Sequence, residues 1–310
     1  MTQLQEFHDE LRSVARELLA GQPDWDQLVT AGWTGLEVSE ELGGAGASFA
    51  ETAVLLQELG RAAASRSLLG TTLAVGALPA DDPLLARIAA GATATVATGF
   101  TVNDGKVSGR AEFVPDAAAD IVLLATRDAL VTAPVTITGQ AVLDETRSLG
   151  AVSAEDAAVS QTWLPATPVA PRAQTAVACD SLGIAEAMLA QTVDYVKIRN
   201  QFGRAIGSFQ AVKHACADMQ VKISVARQLV STAVTAIAEG RDADVAAQMA
   251  KAYTTEMAVE VAGKAMQLHG GIGYTWESTV HVYLKRAALN RALYGTPAQH
   301  RGTLSERFTA

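Results

Sequence analysis

Three stretches carry residue types and spacings suited to holding a ligand. Arg199-Asn200-Gln201-Phe202-Gly203-Arg204-Ala205-Ile206-Gly207-Ser208-Phe209-Gln210 lies between two long apolar-periodic segments. An Arg at the end of one helix and a glycine-bounded turn before the next form a clamp for an anion. The second helix adds free N–H groups and the positive end of its dipole, and Arg199 offers a two-pronged fork to a diphosphate. The same residues also read as a polar helix–helix turn in which Arg199 helps to cap the first helix. In Gln267-Leu268-His269-Gly270-Gly271-Ile272-Gly273-Tyr274-Thr275-Trp276-Glu277, three glycines follow a long helix within four residues. Glycine there lets backbone approach a ligand, and it serves equally as a helix stop. His269 reads as a capping or structural residue and Trp276 as core or interface. Leu293-Tyr294-Gly295-Thr296-Pro297-Ala298-Gln299-His300-Arg301 reads as a loop and a final helical turn behind a basic segment with Lys285, Arg286 and Arg291. No GxGxxG opens a βαβ unit, and HExxH, the P-loop and GxSxG are missing. No Cys/His/Asp cluster has metal-ligand spacing, so no metal is expected.

These stretches must be positioned by helices. In the C-terminal part, periodicity predicts helices over 173–198, 208–239 and 242–268 and a fourth from about 278, the pattern of an antiparallel four-helix bundle. None of the first three contains an internal Pro, and only Gly183 and Gly263 interrupt them, each tolerated at modest cost. Residues 1–82 also read as helical, with Ser48 and Glu51 as a capping box. The Gly43-Gly44 pair and Gly46 mark a turn needing close backbone approach or positive φ. Between these lies a change of period over 83–166. There Asn103-Asp104-Gly105 turns a hairpin, Ile121–Ala125 is a wholly apolar strand, and short strands run to about residue 159. The expected fold is α+β in three domains: 1–82 helical, 83–166 a small antiparallel β-sandwich or barrel, and 167–310 a helical bundle.

Composition bounds the partners. The chain has 310 residues, 33 acidic against 24 basic, and a net charge of -9, a poor match to a phosphate backbone. Charged residues are 18% of the chain, below the roughly 25% usual for soluble domains. That share hints at surface buried in an oligomer. Two cysteines make no disulfide framework, the N-terminal stretch is not a signal peptide, and the longest charge-free stretch, 88–103, is too short to span a membrane. The expectation is a cytoplasmic protein that binds neither nucleic acid nor membrane.

Together the motifs resemble the acyl-CoA dehydrogenase family of flavoproteins, and the helical, sheet, helical order fits that family's three-domain fold over the whole chain. Arg199, Phe202, Gly203 and Gln210 match its Arg-x-x-Phe-Gly turn and the Gln beyond. Gln267, Gly270, Gly271, Gly273 and Glu277 match its Gln-x-x-Gly-Gly-x-Gly segment and following Glu, and 43–46 match its Gly-Gly-x-Gly. The resemblance implies FAD-dependent α,β-dehydrogenation of an acyl-CoA thioester. In such enzymes a carboxylate removes the α proton while flavin takes hydride from the β carbon. It further implies that Arg199 and Gln210 contact the FAD diphosphate. Gln267, Gly270 and Gly271 would reach the adenosine side from a neighbouring subunit. Phe202, Gly203 and Thr296 complete the cofactor-binding set, and an electron-transferring flavoprotein is the implied electron acceptor.

The sequence departs from the family where the base should be. Most members carry a Glu just before the Gly-Thr near the C-terminus, where this chain has Tyr294. A phenol with a reference pKa of about 10 suits that role poorly. A minority place the base in the first long C-terminal helix, where this chain has Ala173 between Arg172 and Gln174, with Asp180 two turns further on. The Thr-Glu-Pro or Ser-Glu-Pro stretch of the middle domain is replaced by AGATATVATGFTVN over 90–103, and that domain looks shortened. The usual Arg-Asp is Lys285-Arg286, a reversed charge for which Glu277 is the candidate partner. These losses resemble the small, base-less subunit of heteromeric α2β2 acyl-CoA dehydrogenases of actinobacterial steroid catabolism, in which a paralogous subunit supplies the catalytic Glu. Two alternatives stay open: a homo-oligomeric dehydrogenase with Glu277, Asp180 or Tyr294 as displaced base, and a flavin-free structural or binding homologue.

Overall fold

A computed structural model describes residues 3–65, 68–275 and 277–307. Trp276 lies outside the described residues. In chain order the fold is helical, then sheet, then helical, as expected. The first helices are α1 (Gln3–Ala20), α2 (Trp25–Thr30), α3 (Phe49–Arg61), α4 (Leu69–Ala77) and α5 (Pro83–Ala89). The strands are β1 (Ala94–Thr98), β2 (Phe100–Asn103), β3 (Lys106–Pro115), β4 (Ile121–Ala125), β5 (Leu130–Thr132), β6 (Thr136–Gln140), β7 (Leu149–Ala158) and β8 (Gln161–Trp163). Then come α6 (Val169–Ile198), the two-residue strands β9 (Asn200–Gln201) and β10 (Arg204–Ala205), α7 (Gln210–Ala238), α8 (Asp244–His269), α9 (Val280–Ala292) and α10 (Pro297–Glu306).

The chain divides into two units: 1–55 with 65–173, and 56–64 with 174–310. In the first unit two four-stranded sheets, β1-β4-β5-β8 and β2-β3-β7-β6, form the sandwich. The apolar faces of their strands meet in a core that includes Phe100, Val107, Val114, Leu124, Val131 and Val152. The expected hairpin turns through Asp104 and Gly105, both at positive φ (48° and 74°), the conformation a two-residue hairpin loop requires. One pairing differs from the antiparallel expectation: β1 and β4 run parallel, Ala94 opposite Ile121. The intervening chain returns to the same end through the β2–β3 hairpin of the other sheet. The short strands expected before residue 159 include two of ten residues, β3 and β7, and β7 pairs with both β3 and β6.

The turn at 43–46 uses glycine in both expected ways. Gly43 and Gly46 sit at φ 83° and 63°. A Cβ on Gly44 would lie 2.1 Å from the Val38 carbonyl oxygen. Glu51 reaches back to the Ser48 N–H (2.8 Å), whereas the Ser48 hydroxyl accepts from the Ala50 N–H and not from that of Glu51. Helix α5 was not expected. Asp82 caps it by accepting from the Leu84 N–H, and Pro83 occupies its first turn.

In the second unit α7, α8 and α9 follow the expected bundle; α6 begins four residues earlier than expected, and its residues 169–173 belong to the first unit. Helix α7 is, among the described residues, the one helix long and apolar enough to cross a membrane, though only a third of its apolar window is buried. The C-terminal stretch is more than a turn. Thr296 and Gln299 form a reciprocal capping box that starts the ten-residue helix α10.

Candidate functional site

The Arg199 turn is a tight hairpin. Asn200 pairs with Ala205 and Gln201 with Arg204, and Phe202 and Gly203 make the turn at φ 53° and 77°. The Arg199 carbonyl accepts from the Ile206 N–H (2.8 Å), which closes the hairpin's base. Gly207, in the 3-10 turn Ile206–Ser208 that follows the hairpin, lets the chain pass against α6, since a Cβ there would sit 2.9 Å from the Val196 oxygen. Phe209, just before α7, meets the Phe202 ring edge-on at 6.2 Å and carries the Arg204 guanidinium 4.1 Å from its own ring centre. Phe202 is nevertheless 92% exposed. Arg199 and Gln210 are also exposed, at the end of α6 and the start of α7. The N-cap residue of α7, Phe209, makes no side-chain cap; the Val212 N–H donates to the Phe209 carbonyl (3.1 Å), which leaves the N–H groups of Gln210 and Ala211 as the donors a ligand could take.

The glycine segment ends α8. Gly270 takes φ 64° and ψ -143°, a geometry open to glycine alone. Gly271 has neither positive φ nor any described atom within 4 Å of where a Cβ would stand, so nothing in this chain's own packing requires glycine there. Both are exposed, as is Gln267, whose Oε1 accepts from Lys264 (2.9 Å).

These two expected motifs are brought to one end of the second unit. The Tyr195 ring stacks on His269 at 4.4 Å and 19° between planes, and its hydroxyl donates to the His269 carbonyl at 3.3 Å. Tyr195 lies one helical turn before Arg199, whose N–H donates to the Tyr195 carbonyl (2.9 Å). His269 directly precedes Gly270. Sequence reasoning missed this pair; its only trace was the four-residue spacing from Tyr195 to Arg199.

The third stretch holds Tyr294 at φ 55° and Gly295 at φ 96°. Two basic groups support this turn. His300 Nε2–H donates to the Tyr294 carbonyl (3.0 Å), and a Cβ on Gly295 would lie 2.7 Å from that same nitrogen. Lys251 Nζ donates to the Gly295 carbonyl (2.8 Å) and the Arg291 carbonyl (3.3 Å). The Lys251 side chain is wholly buried, and burial, with the Arg291 charge, pushes its pKa down to about 7. Burial and the Lys251 charge also hold His300 below the usual imidazole range. The Thr296 hydroxyl is engaged with Gln299 in the α10 cap.

No carboxylate stands at either expected base position. Ala173 is fully buried in α6, and beside it Arg172 is buried against Glu37, the Thr72 carbonyl (2.9 Å) and the Phe49 ring (4.5 Å). The expected pairing of Arg286 with Glu277 is wrong. Arg286, 1% exposed, makes a two-pronged contact with Asp180 through Nε (3.0 Å) and Nη2 (2.5 Å). Asn290 donates to the same carboxylate at 2.6 Å. Glu277 is exposed. An inward-facing α9 cation needs a carboxylate on the helix it packs against, and α6 supplies one. So held, Asp180 is unsuited to the part of displaced base.

The residues present fit a dinucleotide. The donor set is an exposed guanidinium, uncapped helix N–H groups, two exposed amides and an unhindered glycine backbone, all suited to phosphate and adenosine oxygens and nitrogens. Residues 2–81 match the acyl-CoA dehydrogenase N-terminal domain model and residues 171–309 the C-terminal domain model. The chain therefore belongs to the acyl-CoA dehydrogenase family. It is 38% identical over 274 residues to the acyl-CoA dehydrogenase IpdE2 of Mycobacterium tuberculosis, covering 86% of this chain and 80% of that one. Among solved structures it resembles the Tcur3481-Tcur3483 steroid ACAD G363A variant (TM-score 0.86, 26% identity, 99% and 98% of the two chains). The ChsE4-ChsE5 complex from Mycobacterium tuberculosis shares the fold (TM-score 0.87, 23% identity, 100% and 98% covered).

Proposed function

We propose that the chain is one subunit of a heteromeric, FAD-dependent acyl-CoA dehydrogenase whose partner, a paralogous subunit, supplies the catalytic Glu. The reading rests on the family resemblance, which puts Tyr294 and Ala173 at the two base positions, and on one observation: Asp180, the carboxylate two turns beyond Ala173 in α6, is taken by Arg286 and Asn290. Arg199 and the start of α7 with Gln210 would hold the diphosphate of FAD. Gln267 and the Gly270-Gly271 backbone would hold its adenosine side, with Phe202 and Gly203 shaping the turn and Thr296 completing the set. When bound, FAD supplies the hydride acceptor. The exposed hairpin keeps these groups outward, where they can reach a cofactor shared with a second subunit. A CoA thioester is the substrate class. A steroid-derived acyl group is supported by the likeness to a steroid ACAD, an electron-transferring flavoprotein is the acceptor, and the cytoplasm is the setting.

The test is to express the chain alone and with its co-purifying partner, then measure flavin absorbance and CoA-thioester dehydrogenation. Activity is expected only in the complex, with a Glu at a family base position of the partner. Full activity of the single chain would overturn the proposal. Arg199→Ala in the complex is expected to lower retained FAD.

A further inference from the structure

The Tyr195–His269 stack joins two elements, α6 and α8, whose C-termini carry the turns assigned above to the cofactor. His269 is buried, and its Nδ1–H donates to the Ala265 carbonyl (2.8 Å), which fixes the ring's rotation about its own helix. Tyr195 covers the ring's face, and its hydroxyl donates to the last carbonyl of α8. Each turn is held by its own backbone hydrogen bonds: the hairpin at 200–205 by a two-residue ladder, and the glycine segment by the Gly270 N–H, which donates to the Gln267 and Met266 carbonyls. None of these bonds runs from one turn to the other, so the stacked pair is the contact that ties them together.

We propose that Tyr195 and His269 are positioning residues for the cofactor, a strap that sets the spacing between Arg199 and the Gly270-Gly271 backbone so that one dinucleotide meets both. This rests on the FAD reading above and deepens it. It also places the two motifs on the same chain's side of one ligand, whereas the family resemblance alone divided them between subunits. Preorganising donors before binding raises affinity because less order is lost on association.

The experiment uses the complex stripped of flavin and titrated with FAD, following flavin fluorescence. His269→Asn keeps a donor to the Ala265 carbonyl and removes the ring. Tyr195→Leu removes the stack, and Tyr195→Phe keeps the stack but loses the hydroxyl. His269→Asn and Tyr195→Leu are expected to weaken FAD binding about fivefold to tenfold, the worth of an aromatic pair. Tyr195→Phe should stay within about twofold, a rescue that general destabilisation would not produce. If Tyr195→Leu fails to assemble, His269→Asn decides alone. Unchanged FAD affinity in His269→Asn, beside clear loss in Arg199→Ala, would overturn the strap and leave the cofactor site standing. Unchanged affinity in Arg199→Ala as well would overturn the site itself.

Discussion

Asp180 and Arg286 show how a single reversed charge is absorbed. The sequence made the cation at 286 visible but not its counter-ion, because the two residues lie 106 positions apart and only the crossing of α6 and α9 brings them together. A buried pair of this kind is costly to break, since the surviving charge keeps its desolvation penalty without its partner. Asp180→Ala leaves Arg286 buried with carbonyl contacts such as that to Ala64 (2.7 Å). It is expected to lose about 3–5 kcal/mol in denaturant unfolding. Replacing both residues together, Asp180→Leu with Arg286→Met, should restore much of that loss. The Arg199 and Gly270 motifs were legible because each is local: a turn residue, its glycine and the next helix start are neighbours in sequence. Lys251 and Tyr195 were not, because a lysine or tyrosine inside an apolar period gives no sign that its polar end will meet a distant carbonyl.

At the level of elements, the helices and hairpin were read from periodicity and turn chemistry, and most stand within a few residues of expectation. What periodicity could not reveal is how closely helices approach. Gly183 and Gly263 look alike in sequence, each a lone glycine in a long helix. A Cβ on Gly183 would fall 1.9 Å from the Gln57 carbonyl oxygen, and one on Gly60, facing it from α3, 2.0 Å from the Asp180 oxygen. The two glycines let α3 and α6 cross backbone to backbone. A Cβ on Gly263 meets nothing described within 4 Å. Opposite outcomes are therefore expected in thermal melts. Gly183→Ala forces the helices apart and costs at least about 1–3 kcal/mol. Gly263→Ala removes backbone freedom from the unfolded chain and stabilises by about 0.5–1 kcal/mol. The parallel β1–β4 pair was illegible for a related reason: strand order follows from which sheet the intervening hairpin joins, and no single strand's composition records that.

For the whole molecule, the buried ammonium of Lys251 links stability to pH. Its folded pKa is near 7 against the ordinary 10.5, so between those values the unfolded chain binds the extra proton. Stability then rises with pH across that window, by at most about 1.4 kcal/mol per unit from this residue. Below pH 7 both forms are protonated and the slope disappears. Unfolding midpoints measured at pH 7, 8 and 9 should rise less steeply in Lys251→Met than in the unaltered protein, and equal slopes would contradict the assignment. The second unit is also discontinuous: it takes 56–64 from the middle of the first and completes itself only with 174–310. A 174–310 fragment lacks the helix segment that fills the groove at Gly183. It is expected to bind a hydrophobic dye and melt without a cooperative transition. The same discontinuity imposes a schedule on biosynthesis. Gly60 leaves the ribosome more than a hundred residues before Gly183. At about 5–20 residues per second, that half of α3 waits roughly ten seconds for the helix it must touch. Over that interval its apolar face is a chaperone's business, and slowing translation between the two glycines would lengthen the exposure.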